Sequence, residues 1–409
     1  MTSSKSQDSP SPPVGLWLIG GRGGVAACSI FGMLLLRRNA VPPVGLVTAQ
    51  SAFHKAGLIP FDRVLIGGHE IRAARLVDEI RAFHRTNRVF LPDWIDLLEA
   101  ELDDCDARIR WGTLSGASSA IRGLAAPDVP RDASPWEAVR RLQQDLAAFQ
   151  QEHGLRHVVV VNVASTEPPA DSAAFPTSWE ELEKALAGGE LSPPPSTLYA
   201  VAALSEGCSY INFTPSLGAS LPALTELAEI RRTRHMGCDG KTGETLMKSV
   251  LAPMYRARNL QVLSWVGHNI FGNLDGRILD DPQHKATKVR SKDHLVGDIL
   301  GYAPKTVVSI EYVEDMGDWK TAWDHIHFSG FLGTPMVLQF IWQGCDSLLA
   351  APLVLDLFRL TERADRAGIS GTMPFLAPFF KSPYGVSDND FFSQHGALLD
   401  WVASLSKDA

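Results

Sequence analysis

Val14-Gly15-Leu16-Trp17-Leu18-Ile19-Gly20-Gly21-Arg22-Gly23-Gly24-Val25-Ala26 passes from an apolar run into a glycine cluster. Behind it, Ile30, Met33, Leu34 and Leu36 recur at helical spacing before Arg37-Arg38. Strand, glycine turn and helix, in that order, open a dinucleotide-binding unit. Gly21, Gly23 and Ala26 match G-x-G-x-x-A, and backbone amides at such a helix start can cradle a pyrophosphate. A tight strand-to-helix turn without any ligand has the same spacing. Val44 to Val47 reads as the next strand, but it ends in Thr48-Ala49-Gln50 and offers no carboxylate to ribose hydroxyls.

Further along, helical patterns cover Arg72 to Phe83, Trp94 to Leu102, Trp136 to Gln151 and Leu198 to Leu204. Val158-Val159-Val160-Val161 is a fully apolar strand of the kind buried in parallel sheets. It leads into Asn162-Val163-Ala164-Ser165-Thr166, small and polar residues where such sheets place ligands. Ser209 to Asn212 is a second strand tip. Lys305 to Tyr312 alternates apolar and polar residues, as does Met336 to Trp342, so both read as half-buried strands of a separate antiparallel or mixed sheet. A long helix starts at Asp346-Ser347 and runs to about Arg363.

A chain of 409 residues has room for two or three domains, or for one large α/β unit with an insertion. Its 45% apolar and 21% charged residues are ordinary for a soluble globular protein. A formal charge of -8 argues against a nucleic-acid partner and favours a small anionic ligand held in a local basic pocket. Five cysteines without CxxC spacing suggest reduced thiols and a cytoplasmic location. The Ser/Pro-rich start reads as a flexible tail over residues 1–14, and no apolar stretch is long enough for a membrane.

The segment from Gly237 to Lys292 holds most of the chemistry. It ends in a basic run with Lys285, Lys288, Arg290 and Lys292. On a helix, Lys285, Lys288 and Lys292 share one face and repel by roughly a few tenths of a kcal/mol per pair, so an anion is expected against them. His325 and His327 would share a face if their segment is a strand, but two ligands alone are a weak metal signal, and no metal is expected.

Six segments in register make the chain resemble the inositol-1-phosphate synthase (inositol-3-phosphate synthase) family. G-D-D-x-K-S-G-Q-T appears as Gly237 to Thr245, S-Y-N-H-L-G-N-N-D-G as Gly267 to Gly276, and R-S-K-E-I-S-K as Ala286 to Lys292. G-D-S-K-x-A-x-D appears as Gly317 to Asp324, E-D-S-L-L-A-x-P as Cys345 to Pro352, and L-K-A-P as Phe380 to Pro383. Glu70, in Gly67-Gly68-His69-Glu70-Ile71, matches the family's G-W-D-I and is the expected ribose carboxylate. Arg22 stands where a small or polar residue is usual and leaves room for NADP. Glu244 replaces a Gln, and Glu311-Tyr312-Val313-Glu314-Asp315 replaces K-Y-M-K-P, which puts the sugar phosphate in question more than the chemistry.

The resemblance implies a Rossmann-type dinucleotide-binding domain, residues 15–245 and 345–409, with an inserted α+β catalytic and tetramerisation domain, residues 246–344. It implies a homotetramer with bound NAD that cyclises glucose 6-phosphate. The steps are oxidation at C5, enolisation, aldol closure between C6 and C1, and re-reduction to 1D-myo-inositol 3-phosphate (L-myo-inositol 1-phosphate). Each step develops charge on oxygen, which preorganised cations stabilise. A lysine working as acid or base near pH 7 must titrate well below its free value of about 10.4.

The implied catalytic residues are Lys288, Lys292, Lys320, Lys381, Asp239 and Asn269. Lys288 and Lys320 serve the C5 oxygen; Lys292 and Lys381 serve the phosphate and aldehyde oxygens. Cofactor contacts fall to Gly21, Arg22, Gly23, Gly24, Val25, Glu70, Ala164, Ser165, Thr166, Asp239, Asp318, Asp346 and Ser347. Substrate contacts fall to Lys241, Thr242, Gly243, Thr245, Asn269, Phe271, Gly272, Asn273, Asp275, Lys292 and Lys381. A paralogue that cyclises another sugar phosphate, such as fructose 6-phosphate, and a non-catalytic dinucleotide-binding protein are the alternatives; retention of all four lysines speaks against the second.

Overall fold

Every residue of β1 (Val14–Ile19) is buried, as expected of a strand in the middle of a sheet covered on both faces. The computed structural model describes residues 12–274, 276 and 295–405. In it β1 pairs in parallel with β2 (Val64–Glu70) and β4 (Val158–Asn162). With β3 (Ile109–Trp111), β5 (Ser209–Asn212), β6 (Arg234–Gly237) and β11 (Gly371–Thr372), the seven parallel strands run in the order β11-β6-β5-β4-β1-β2-β3. Strand order reverses between β1 and β4, and the crevice beyond such a reversal is where open α/β sheets bind ligands.

Two apolar layers cover this sheet. One face packs on α1 (Gly24–Arg37), α2 (Leu76–Asn87), α3 (Pro92–Ala107) and the helix Asp346–Arg366. The other packs on the helices Pro135–Glu152, Pro195–Ser205 and Pro222–Ile230.

The segment expected as the next strand, Val44 to Val47, is not one. Val44 is 86% exposed, and Val47–Ala49 is a turn of 3-10 helix. The Asp356 carboxylate holds that turn by accepting from the Val47 and Thr48 amides and the Thr48 hydroxyl. The strand that follows α1 is therefore β2, and it ends in a carboxylate, Glu70.

A second sheet forms from β7 (Gln261–Phe271), β8 (Lys305–Tyr312), β9 (Trp319–Ser329) and β10 (Pro335–Cys345), in the order β10-β9-β7-β8. β7 and β8 are parallel, while β9 is antiparallel to both of its neighbours. Val262, Trp265 and Ile326 on its inner face pack against Ala252 and Tyr255 of the helix Gly243–Ala257 and against helical residues 295–300. In chain order this sheet lies between β6 and β11 of the first. The expected boundary at 245/246 falls within the Gly243–Ala257 helix, and that at 344/345 falls at the last residue of β10.

Asn87, at the end of α2, ties the two sheets together: the Asp318 amide donates to its Oδ1 at 2.7 Å and the Trp319 indole to its carbonyl at 2.9 Å. No helix among the described residues is long and apolar enough to cross a membrane.

Candidate active site

The glycine turn is closed by backbone hydrogen bonds. Gly20 and Gly21 N–H both donate to the His69 carbonyl at 2.9 Å, and Gly23 N–H donates to the Gly20 carbonyl at 2.8 Å. Gly20 has φ +79°, and a Cβ there would stand 2.9 Å from Ala164 Cα, so the turn and the β4 tip meet only through glycine. Gly23 caps α1 in an extended conformation without a side-chain hydrogen bond. The first amides of α1 thus have no intrahelical acceptor and are available to an anion.

A cleft of about 420 Å³ opens in front of this turn. Of the expected cofactor residues, Gly23, Gly24, Val25, Glu70, Ala164, Ser165, Thr166, Asp239, Asp318, Asp346 and Ser347 line it. Gly21 does not: its α-carbon faces Ile109, and a Cβ there would meet that side chain at 3.3 Å. Arg22 does not either, because its guanidinium is drawn to Asp106 at 2.7 Å on α3.

Arg72 takes the place expected of Arg22. Its Nη2 donates to the Arg22 carbonyl at 2.6 Å and lies 3.4 Å from Glu70 Oε2. The Glu70 carboxylate is buried and accepts from the Arg22, Ile71 and Arg72 amides, which aim it across the end of β2.

Asp318 anchors the far end. Its carboxylate accepts from the Ser347 amide (2.7 Å), the Ser347 hydroxyl (3.0 Å), Asn273 Nδ2 (2.8 Å) and the Cys345 thiol (3.1 Å). Burial first, and the nearby Asp346 charge second, push this carboxyl above its ordinary range in spite of those donors. Gly272 and Asn273 line the cleft beside it.

The cleft continues into a small cavity of about 10 Å³ at the start of the Gly243–Ala257 helix. Thr242, Gly243, Thr245, Asn269, Lys320 and Lys381 are among its walls, and Thr242, Lys320 and Lys381 face both spaces. Lys320 Nζ sits 3.3 Å from Asp346 Oδ2 and 4.9 Å from the centre of the Phe271 ring. Lys381 Nζ lies 2.7 Å from Asp239 Oδ1, and both residues are buried. Phe271 is fully buried beneath Lys320, so it supports a cleft-lining group rather than lining the cleft itself. Glu244, the acidic departure from the family pattern, is held at 2.7 Å by Lys248 one helical turn on.

Lys241 is the clearest displacement among the expected substrate contacts. Its amine donates to Gln394 Oε1 at 2.8 Å, on the last helix Phe391–Leu405, and it lines neither space. Burial lowers its pKa to about 7, against the pull of Asp388 and Asp390. Lys288, Lys292 and Asp275, with the expected basic helical face, lie outside the described residues. Arg72, Asn87 and Trp342 are site residues that sequence reasoning missed. Arg72 follows the Gly67–Ile71 motif directly and was legible there, whereas Asn87 and Trp342 carry no local signal.

A parallel sheet reversing at β1 and β4, a glycine turn facing a cleft and a carboxylate ending β2 define a Rossmann-type dinucleotide-binding protein. Its cleft is closed at one end by a second, mixed sheet that contributes Lys320. This chain belongs to the myo-inositol-1-phosphate synthase family, whose model, of an NAD-binding class, matches residues 14–403. Inositol-3-phosphate synthase 1 of Bacteroides thetaiotaomicron is 30% identical over 410 residues, covering 95% of this chain and 93% of that one. Inositol-3-phosphate synthase from Caenorhabditis elegans superposes with a TM-score of 0.86 at 25% identity, covering 97% of this chain and 86% of that structure. A myo-inositol-1-phosphate synthase-related protein from Thermotoga maritima superposes at 0.76 with 25% identity, covering 96% and 98%. Against several eukaryotic relatives the aligned region is less than half of the relative's length.

Proposed function

We propose that this protein cyclises glucose 6-phosphate to 1D-myo-inositol 3-phosphate with NAD as a cofactor regenerated in each turnover. The observation that carries this reading is the position of Lys320 and Lys381. Each is paired with a carboxylate, and each faces both the glycine-turn cleft and the cavity at the helix start.

The residues present fit the cofactor. A Cβ on Gly23 would meet only the Gly20 carbonyl within 4 Å, so the turn leaves open space where a pyrophosphate must approach. Glu70 ends β2 where a carboxylate receives ribose hydroxyls, and its negative charge favours NAD over a 2′-phosphorylated dinucleotide. NAD supplies reversible hydride acceptance.

In the chain's own part of the mechanism, Lys320 as the neutral amine takes the C5 hydroxyl proton, and the ammonium so formed polarises the C5 oxygen and returns the proton at re-reduction. Asp346 orients that ammonium, and the partly buried setting strengthens its field. Lys381, oriented by Asp239, stabilises the oxyanion of the aldol step. Thr242, Gly243 and Thr245 present the helix start to the phosphate ester. Asn269 and Asp318 orient the groups around them. Lys288 and Lys292 are assigned the companion roles at the C5 oxygen and the phosphate.

Incubation with glucose 6-phosphate and NAD should yield an inositol monophosphate without net NADH, read by chromatography and phosphorus NMR. A cyclitol formed only from another hexose phosphate, such as fructose 6-phosphate, would favour the paralogue reading. The buried Glu244 beside the phosphate end is the observation on that side.

We also propose a homotetramer assembled through the outer face of the second sheet. On that face Ile341 pairs with Trp323 and Trp323 with His268; Ile341 is 70% exposed and Val337 53%. Apolar residues in cross-strand rows are costly to leave in water. Ile341→Asp should lower the mass read by light scattering to that of a smaller assembly, and an unchanged mass would remove this face from consideration.

A further inference from the structure

We propose that Lys241 is a positioning residue: its buried amine ties the last helix to the segment that carries Asp239, and so holds the Asp239–Lys381 pair in place. This rests on the reading of Lys381 as a group that meets a reacting oxygen. Asp239 and Lys381 face each other across a short two-stranded ladder. Lys381 N–H donates to the Asp239 carbonyl at 2.7 Å, Lys241 N–H to the Phe379 carbonyl at 2.8 Å, and Cys238 N–H to the Ser382 carbonyl at 2.9 Å. Gly240 bridges Phe380 in the same antiparallel sense. Asp239 has φ +62°, a left-handed conformation that an aspartate keeps only where its surroundings impose it. The Lys241 side chain lines neither space of the site, so its influence passes through this ladder and not through contact with substrate.

Lys241 is 2% exposed, and its amine forms no ion pair among the described residues. A buried ammonium without a carboxylate is costly. Burial brings this one down to about 7, so near neutrality much of it is the uncharged amine, for which a neutral amide is the matching partner. Gln394, itself 3% exposed, supplies that amide in a fixed orientation. Its Nε2 donates to the Asp388 carbonyl at 2.6 Å, which turns its Oε1 towards the Lys241 amine at 2.8 Å. The Phe391 ring of the same helix lies 5.9 Å from that nitrogen. Farther along the helix, Trp401 stacks on Phe375 with ring centres 3.9 Å apart. Phe375 belongs to the 3-10 stretch Pro374–Phe379, which runs directly into Phe380-Lys381. The last helix therefore grips both strands of the ladder, one at Lys241 and the other through Phe375.

The test compares Lys241→Met, Gln394→Leu and the double variant with the parent, each as the full-length protein. A single substitution strands one buried polar partner, whereas the double variant replaces both by apolar side chains and should melt close to the parent. Its kcat should fall about tenfold through misplacement of Lys381, while KM and the NAD dissociation constant stay within about twofold. Each single variant should lose as much kcat as the double, because one shared contact is lost only once. An unchanged kcat in all three would overturn the proposal. So would a parallel loss of NAD affinity, which marks a merely structural role. Hydrogen exchange gives a reading that needs no turnover. In the double variant the amides of residues 379–382 and 391–405 should exchange faster while those of α1 match the parent, and unchanged exchange would count against the proposal equally. Failure of the parent to form any inositol phosphate would sink the cyclase reading and leave the exchange result to judge the tie. Normal turnover in the parent, with neither kcat nor exchange altered in the variants, would do the reverse.

Discussion

Lys320→Ala lowers turnover by at least ~100-fold while the dinucleotide stays bound. The amine it removes is positioned by three features: Asp346 at 3.3 Å, the Phe271 ring at 4.9 Å, and a backbone amide donating to the Asp318 carbonyl at 2.9 Å. An ammonium held in this way needs no reorganisation when charge develops on a neighbouring oxygen, which is why such groups contribute so much to rate. The substitution leaves Asp346 without this cation close to Asp318, whose carboxyl is already pushed up by burial and by Asp346. NAD affinity must therefore be measured alongside turnover. A fall in kcat with NAD affinity preserved assigns the amine to the chemical step. Turnover equal to the parent would take Lys320 out of the mechanism, and with it the observation on which the cyclase reading rests.

Gly23→Val weakens dinucleotide binding by roughly 100-fold and leaves the fold intact. Gly23 has φ -69° and ψ 164°, a conformation open to any residue, so no backbone strain arises. A Cβ there would meet only the Gly20 carbonyl, at 3.1 Å, and Gly23 itself lines the cleft that the valine carbons would enter. They would occupy the space a pyrophosphate needs above the first amides of α1. Overlap costing about 3 kcal/mol corresponds to that loss of affinity. Thermal melting without NAD should match the parent, whereas the stabilisation NAD gives the parent should disappear. Normal NAD affinity would refute the assignment of the glycine turn.

Some of the site was legible because its information lies within a few residues of chain. The β1–turn–α1 unit, the all-valine run of β4 and the motif around Asp318 and Lys320 each announce themselves locally. Glu70 was found through a short motif even though the strand placed before it, Val44 to Val47, proved to be irregular chain around a 3-10 turn. That misreading has a physical source. Two valines and a leucine have strand propensity, but the Asp356 carboxylate, more than 300 residues away, captures the amides of Val47 and Thr48. Arg22 and Lys241 went astray in the same way: Asp106 and Gln394, both remote in sequence, determine where those side chains go.

The sequence by itself determined the α/β class, the family resemblance, the glycine turn and which lysines to examine. These follow from periodicity and contiguous motifs, which are properties of neighbouring residues. Only the tertiary structure decided that Arg72 rather than Arg22 stands against Glu70, that Lys241 serves the last helix, and that Trp342 reaches the first turn at Gly243. Those outcomes depend on register and packing between distant segments. Shifting β10 by one residue against β9 would turn Trp342 to the outer face and leave the helix start without its indole.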